Sequence, residues 1–260
     1  KSEKKDALNV ELTYAGIKSK NRSSTAMFYQ DAVIDELKRI DNIPKSFLKT
    51  GGLKIYTNFD SKAQDAIDSA INKFLTNTEL ETAIVVMDSK TGKILGIAGG
   101  KDYNSSQFNR VTDSKRQVGS TMKPFLYYSA LENGFTSTTT FTSEKTTFTF
   151  GNNKTYSPKN YGNLYANKPI TLATALSYSD NIFAVKTHLF LGEESLVNFA
   201  KRLGINSNLE PIPSLALGTE EINILQMMKA YGTFASYGNK VNPHFINKVE
   251  DMNGNILYQY

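Results

Sequence analysis

RQVGSTMKPFLYYSALENG, residues 116–134, sets a serine three places before a lysine at the start of an apolar helix. Residues i and i+3 of a helix share a face, so Ser120 and Lys123 are brought within reach of one another. A serine hydroxyl is a poor nucleophile until a base takes its proton, and a lysine can be that base when desolvation or a nearby cation lowers its pKa. The pattern S-x-x-K occurs three times, at Ser2/Lys5, Ser46/Lys49 and Ser120/Lys123, so spacing alone decides nothing. Context separates them. Only after Ser120 do Phe125, Leu126, Ser129, Ala130 and Leu131 continue as a helix. Pro124 is tolerated only in a first turn, so that helix begins close to Ser120 and turns its positive end toward the hydroxyl. Such an end favours an alkoxide-like or acyl oxyanion state. The structural alternative is a serine that merely caps a buried helix.

A second polar triplet, Ser179-Asp180-Asn181, lies in ALSYSDNIFAV, 59 residues after Ser120. A second hydroxyl can relay a proton to a leaving group, and an amide can both hold the lysine and bind a substrate carbonyl. The same letters also suit a helix cap or a turn, and Ser19-Lys20-Asn21 shows that S-x-N arises without such a context. Two Lys-Thr-Gly triplets, at 49–51 and 90–92, both precede Ser120. The second sits in SKTGKILGIAGG, between the apolar runs AIVVM (83–87) and ILGIA (94–98). Those runs read as adjacent buried strands joined by a tight hairpin in which Gly92 supplies a positive φ, so Lys90-Thr91-Gly92 is expected to be structural.

Composition narrows the field. The chain has 260 residues, 40% of them hydrophobic and 21% charged, as expected of a folded globular protein. There is no cysteine, which removes disulfides, thiolate metal sites and cysteine nucleophiles together. His188 and His244 are the only imidazoles, so metal and histidine chemistry are poorly supplied, and no cofactor or metal is expected. The +5 charge comes from scattered lysines with only five arginines, unlike the clustered basic stripes of nucleic-acid readers. No apolar run approaches the roughly 18 residues of a membrane span.

Residues 1–50 are polar, with a helical stretch near Asp31 to Ile40, and read as an interdomain connector. Leu53 to Phe59 alternates as a strand, and Ser61 with Gln64 suggests a capping box before a helix through Phe74. Residues 139–156 read as irregular strands, 169–203 and 220–237 as helices, and Phe245–Val249 and Ile256–Tyr260 as late strands. Strands 83–98 need further sheet neighbours, expected from beyond residue 260. On this reading Ser120, Lys123, Ser179 and Asn181 cluster, Lys49 and Lys90 stay away from them, and the cleft is open on a third side.

Taken with GGLKIYTNFD, SSQFNRVTDSKRQVGSTMKPF, SPKNYGNLY and PSLALGTEEINILQMMKAYGTFASYG, these motifs resemble the transpeptidase domain of penicillin-binding proteins, most closely the class A, bifunctional kind. The resemblance covers about Gly51 to Tyr260, with the connector similar to the segment that follows a glycosyltransferase domain. It implies an α/β (α+β) fold, an antiparallel sheet flanked by helices with an all-helical subdomain, as in serine β-lactamases and transpeptidases. It implies that Ser120 is the acylated nucleophile, Lys123 its base, and Ser179 and Asn181 a second wall. The implied activity is a serine D,D-transpeptidase that cross-links peptidoglycan stem peptides ending in D-Ala-D-Ala and is trapped by β-lactam antibiotics.

The family's third motif, Lys-Ser/Thr-Gly after S-x-N, is missing, so residues 51–260 are expected to be the N-terminal and central part of an incomplete domain. The rest of that domain and an N-terminal glycosyltransferase domain are the implied partners. The implied location is the outer face of the bacterial cytoplasmic membrane, reached through an N-terminal anchor absent from this chain. Two alternatives stand beside this reading. One is a non-catalytic cell-wall or peptide-binding module of the same fold. The other is a β-lactamase, whose deacylating glutamate would have to be Glu194 in Glu194-Ser195-Leu196-Val197-Asn198, a stretch that otherwise reads as an ordinary amphipathic helix.

Overall fold

A computed structural model describes residues 25–47 and 51–260. Lys49, the Ser2/Lys5 pair and Ser19-Lys20-Asn21 lie outside the described residues. Helix α1 (Ala26–Lys38) starts earlier than the expected Asp31, because its buried stripe is Phe28, Tyr29, Ala32, Val33 and Leu37. Ile34 falls on the exposed side. The Tyr29 hydroxyl donates to the Ile94 carbonyl at 2.7 Å, which fastens the helix to the sheet beside it.

Strand β1 (Lys54–Thr57) leads into α2 (Ser61–Phe74). The N-cap of α2 is Asp60 and not Ser61: its carboxylate accepts from the Ala63 N–H at 2.9 Å. That one-residue shift frees Gln64 from a capping box and turns it inward. Its amide oxygen accepts from the Ile97 N–H at 3.1 Å and its amide nitrogen donates to the Ile97 carbonyl at 3.0 Å. Gln64 thus satisfies strand groups that would otherwise be buried without partners.

Strands β2 (Ile84–Met87) and β3 (Ile94–Ala98) form the expected antiparallel hairpin. Gly92, at φ +78°, makes the bend, and a Cβ there would meet the Asn242 carbonyl oxygen at 2.3 Å. Lys90 is exposed, with its backbone N–H on the Asp88 carboxylate at 2.8 Å.

Beyond the hairpin come β4 (Arg116–Gln117), a 3-10 turn at Gly119–Met122 and α3 (Lys123–Glu132). The irregular region contains β5 (Thr140–Ser143), β6 (Phe148–Thr149), β7 (Thr155–Tyr156) and β8 (Lys168–Thr171). Then follow α4 (Leu172–Ser177), α5 (Asn181–Leu191), α6 (Glu193–Arg202), a 3-10 turn at Pro213–Leu217, β9 (Glu221–Ile222) and α7 (Ile224–Ala235). Strands β10 (Ile246–Glu250) and β11 (Ile256–Gln259) complete the chain.

The sheet order β1-β10-β11 is antiparallel throughout, and β2-β3 stands apart from it except for a bridge between Lys93 and His244. No single closed sheet forms among the described residues. Between the segment before β2 and α7 runs a groove of about 710 Å³ lined by Ala83, Phe108, Val118, Thr121, Met227 and Tyr231. Among the described residues no helix is long and apolar enough to cross a membrane.

Helix α3 turns most of its surface inward, with Phe125, Leu126 and Ala130 at 0% exposure, and leaves Tyr128, Leu131 and Glu132 exposed along one face. Around it stand Phe183 and Ala184 of α5, Leu196 and Ala200 of α6, and Leu215 of the second 3-10 turn. The result is a rigid central post with Ser120 at its exposed tip. Truncating a side chain such as Phe125 at this position costs about 3–5 kcal/mol.

Candidate active site

Ser120 lies in the 3-10 turn and not in the α-helix proper, which opens one turn later at Lys123. Pro124 takes an early helical position, where its missing N–H is not needed. The turn is clamped from outside. Gly119 donates its N–H to the Gly218 carbonyl at 2.9 Å, and the Tyr231 hydroxyl donates to the Thr121 carbonyl at 2.7 Å. Backbone contact at Gly218 is so close that a Cβ there would lie 2.1 Å from the Gly119 oxygen.

Lys123 points down from the first turn of α3 and is 1% exposed. Its Nζ donates to Asn181 Oδ1 at 2.6 Å, to the Ser179 carbonyl at 2.6 Å and to the Ser179 hydroxyl at 2.9 Å. Three acceptors use all three N–H bonds of an ammonium. Ser179 Oγ in turn donates to Ser120 Oγ at 2.9 Å. The four residues expected to meet therefore do meet, but the link from amine to Ser120 runs through Ser179. Burial lowers the Lys123 pKa from 10.5 to about 8, against the opposing pull of the Asp180 charge. Lys90 makes no hydrogen bond with Ser120 among the described residues.

Residues 179–181 are placed by a junction of two helices. Helix α4 ends at Ser177 with Tyr178 as its C-cap, α5 is capped by Asp180, and Ser179 between them has φ +55°. A left-handed conformation costs a non-glycine residue about 1–2 kcal/mol and persists where surrounding bonds fix it. Here the Asp180 N–H donates to the Ala175 carbonyl at 2.8 Å and the Ser179 N–H to Leu176 at 3.1 Å. Asp180 itself is buried and accepts from the Phe183 N–H, the Ser143 hydroxyl and the Asn160 amide. The second face of the Asn181 amide donates to the Lys159 carbonyl at 2.7 Å. That bond fixes its oxygen toward Lys123 and uses one of the two N–H donors of the amide, so the other stays available to a substrate carbonyl.

Asp180, Asn160 and Lys159 were not singled out as site residues from the sequence. Asp180 entered only as the middle residue of the Ser179-Asp180-Asn181 triplet, and the signal for Lys159 and Asn160 was their position within SPKNYGNLY, one of the family-like stretches. Glu194 of the β-lactamase alternative is exposed in the first turn of α6, and that helix buries Leu196, Val197, Phe199 and Ala200. No grouping of three or more acidic or histidine side chains suited to a metal ion occurs among the described residues.

Comparison with known proteins bears on the family and the fold. The family described as "Penicillin binding protein transpeptidase domain" matches residues 82–259. Penicillin-binding protein 2D of Bacillus subtilis (strain 168) is 41% identical over 250 residues, covering 95% of this chain and 36% of that protein. Penicillin-binding protein 1A of Aquifex aeolicus is 41% identical over 69% of this chain and 24% of its own length. The chain thus spans about a third or less of these curated relatives. Among solved structures, PonA1 of Mycobacterium tuberculosis in complex with penicillin V aligns with a TM-score of 0.77 and 25% identity over 91% of this chain and 65% of that one. Penicillin-binding protein 1A of Haemophilus influenzae aligns with a TM-score of 0.65 and 32% identity over 69% of this chain and 27% of that one. With the family match spanning well over half of its length, this chain belongs to the penicillin-binding protein transpeptidase domains and has their mixed α/β fold.

Proposed function

We propose that the chain carries the acylating centre of a serine D,D-transpeptidase that cross-links peptidoglycan. The observation that carries this reading is the continuous path Ser120 Oγ, Ser179 Oγ, Lys123 Nζ, which ends on a buried amine whose pKa is lowered to about 8. Such an amine is neutral often enough near neutral pH to act as a general base.

In this mechanism Ser120 Oγ attacks the carbonyl of the terminal D-Ala-D-Ala peptide bond while its proton passes by way of Ser179 to Lys123. The C–N bond then breaks, the same proton returns to the departing nitrogen, and terminal D-Ala leaves. An amine from a second stem peptide attacks the resulting ester, forming a new amide and restoring the Ser120 hydroxyl. A β-lactam enters at the first step and remains as an ester on Ser120.

In the whole protein we place residues 1–50 as a connector to a glycosyltransferase domain. We place the third wall of the cleft in another part of the transpeptidase domain, and the site on the outer face of the cytoplasmic membrane. The test is mass spectrometry of the full-length protein after exposure to penicillin. A stable adduct on Ser120, lost in Ser120→Ala with folding intact, is the expected result. Labelling that persists in Ser120→Ala overturns the assignment. Turnover of penicillin without a lasting adduct gives the β-lactamase alternative, and an unlabelled folded protein gives a binding module.

A further inference from the structure

Most of the hydrogen bonds of the Asn160 amide go to the segment that presents Ser179 and Asn181. Its Oδ1 accepts from the backbone N–H of Asn181 at 2.8 Å and, more weakly, from that of Ile182 at 3.4 Å. Its Nδ2 donates to the Asp180 carboxylate at 2.7 Å and to the Leu164 carbonyl at 3.0 Å. Asn181 and Ile182 open α5, where backbone N–H groups have no partner within the helix. Asp180 Oδ1 serves the next one, that of Phe183, at 2.7 Å. One side chain from a distant loop and one N-cap carboxylate therefore hold the whole first turn of the helix. Ser179, in its left-handed conformation, is the residue immediately before that turn.

The neighbouring residue completes the cradle: the Lys159 carbonyl accepts one N–H of the Asn181 amide at 2.7 Å. Buried Pro158 precedes the pair in the chain. An ordinary helix cap needs only one acceptor, whereas Asn160 both donates to and accepts from residues on either side of the bond between Asp180 and Asn181.

Resting on the acyl-transfer reading above, we propose that Asn160 is a positioning residue for acylation. It holds the Ser179–Asn181 turn so that the Ser179 hydroxyl stands between Lys123 and Ser120. The residue touches neither Ser120 nor Lys123, so its effect passes through Ser179. A misplacement of about 1 Å at a reacting group costs on the order of a hundredfold in rate.

The test is a double-mutant cycle in the full-length protein. The acylation rate constant and the affinity of the preceding noncovalent penicillin complex are measured for wild type, Asn160→Ala, Ser179→Ala and the double variant, with thermal midpoints alongside. Asn160→Ala is expected to slow acylation by about 10- to 100-fold, as misplacement predicts, with penicillin affinity little changed. In the Ser179→Ala background the same substitution is expected to cost less than about threefold, because coupled residues are not additive. Should Asn160→Ala fold poorly, Asn160→Asp takes its place in the cycle. It keeps the acceptor for Asn181 but sets a carboxylate against Asp180, and the same non-additivity is expected. An unchanged acylation rate in the Asn160 variant, or an equal loss in both backgrounds, overturns the proposal. Failure of the underlying reading shows separately, as a wild-type protein that takes no penicillin on Ser120, and overturns both.

Discussion

Ser179 Oγ donates to Ser120 Oγ across 2.9 Å, so a hydroxyl brought from 59 residues along the chain stands between Ser120 and Lys123. The amine at the far end of this path must be neutral to receive a proton. With its pKa lowered to about 8 by burial, the neutral fraction falls about tenfold for each pH unit below that value and levels off above it. Penicillin acylation is therefore expected to rise with unit slope from pH 6 and to reach a plateau just above pH 8. Rate constants measured from pH 6 to 10 check this. A rise that continues up to pH 10, as for an ordinary lysine, or a profile flat through pH 8, would remove Lys123 from the role of base.

Lys123→Arg is a sharper probe of the same group. A guanidinium stays charged at any working pH and presents a planar fork of donors. The three acceptors on Lys123 come instead from one carbonyl, one hydroxyl and one side-chain amide and suit a compact ammonium. Acylation is expected to slow by about a hundredfold or more, in line with the loss of a general base. Stopped-flow rates at pH 8 measure it, and a variant acylating at the parental rate contradicts the mechanism.

Lys90-Thr91-Gly92 tests whether a motif or its setting carries meaning. Lys90 is exposed in the β2–β3 bend, so Lys90→Ala is expected to change stability by no more than about 0.5 kcal/mol and to leave acylation unchanged. Gly92→Ala brings a Cβ to 2.3 Å from the Asn242 carbonyl at a φ of +78°, and is expected to destabilise by at least about 2 kcal/mol. Urea unfolding of both variants decides the matter. Comparable losses from the two, or a loss of acylation in folded Lys90→Ala, would mean that the bend has another role.

Legibility from sequence followed the range of the interactions. The β2–β3 hairpin was readable because two β-branched runs flank a turn with its glycine, all within sixteen residues of chain. The helix after Ser120 was readable because Pro124 confines its own position. Asp60 displaced Ser61 as the cap of α2 because Gln64 is drawn to Ile97, 33 residues away, and no local pattern reveals that competition. The nearness of Ser120 and Lys123 was legible from helical spacing, whereas their meeting with Ser179 and Asn181 was legible only through the family resemblance. The path through Ser179 was not legible, since it depends on a left-handed serine at a helix junction. Asn160 carried no signal beyond its place in SPKNYGNLY, since its bonds reach 20 to 22 residues along the chain to backbone and carboxylate groups.

Two glycines that face each other give the last prediction. Gly119 and Gly218 both have positive φ, +58° and +67°, but they differ in what surrounds them. Nothing lies within 4 Å of a Cβ built on Gly119, so Gly119→Ala meets only the cost of a left-handed conformation, about 1–2 kcal/mol. A Cβ on Gly218 would lie 2.1 Å from the Gly119 oxygen and 2.5 Å from its nitrogen. Gly218→Ala must push the two backbones apart and break the 2.9 Å bond from the Gly119 N–H to the Gly218 carbonyl. Overpacking adds about 1–3 kcal/mol to the conformational cost, so a total of roughly 2–5 kcal/mol is expected. Because that bond clamps the residue before Ser120, the displaced turn should also carry the hydroxyl away from Ser179. Acylation of folded Gly218→Ala is accordingly expected to fall at least tenfold, as a misplaced reacting group dictates. Unfolding free energies and acylation rates of the two variants check this together. If Gly218→Ala is no less stable than Gly119→Ala, or if it is acylated at the wild-type rate, the clamp does not hold the Ser120 turn.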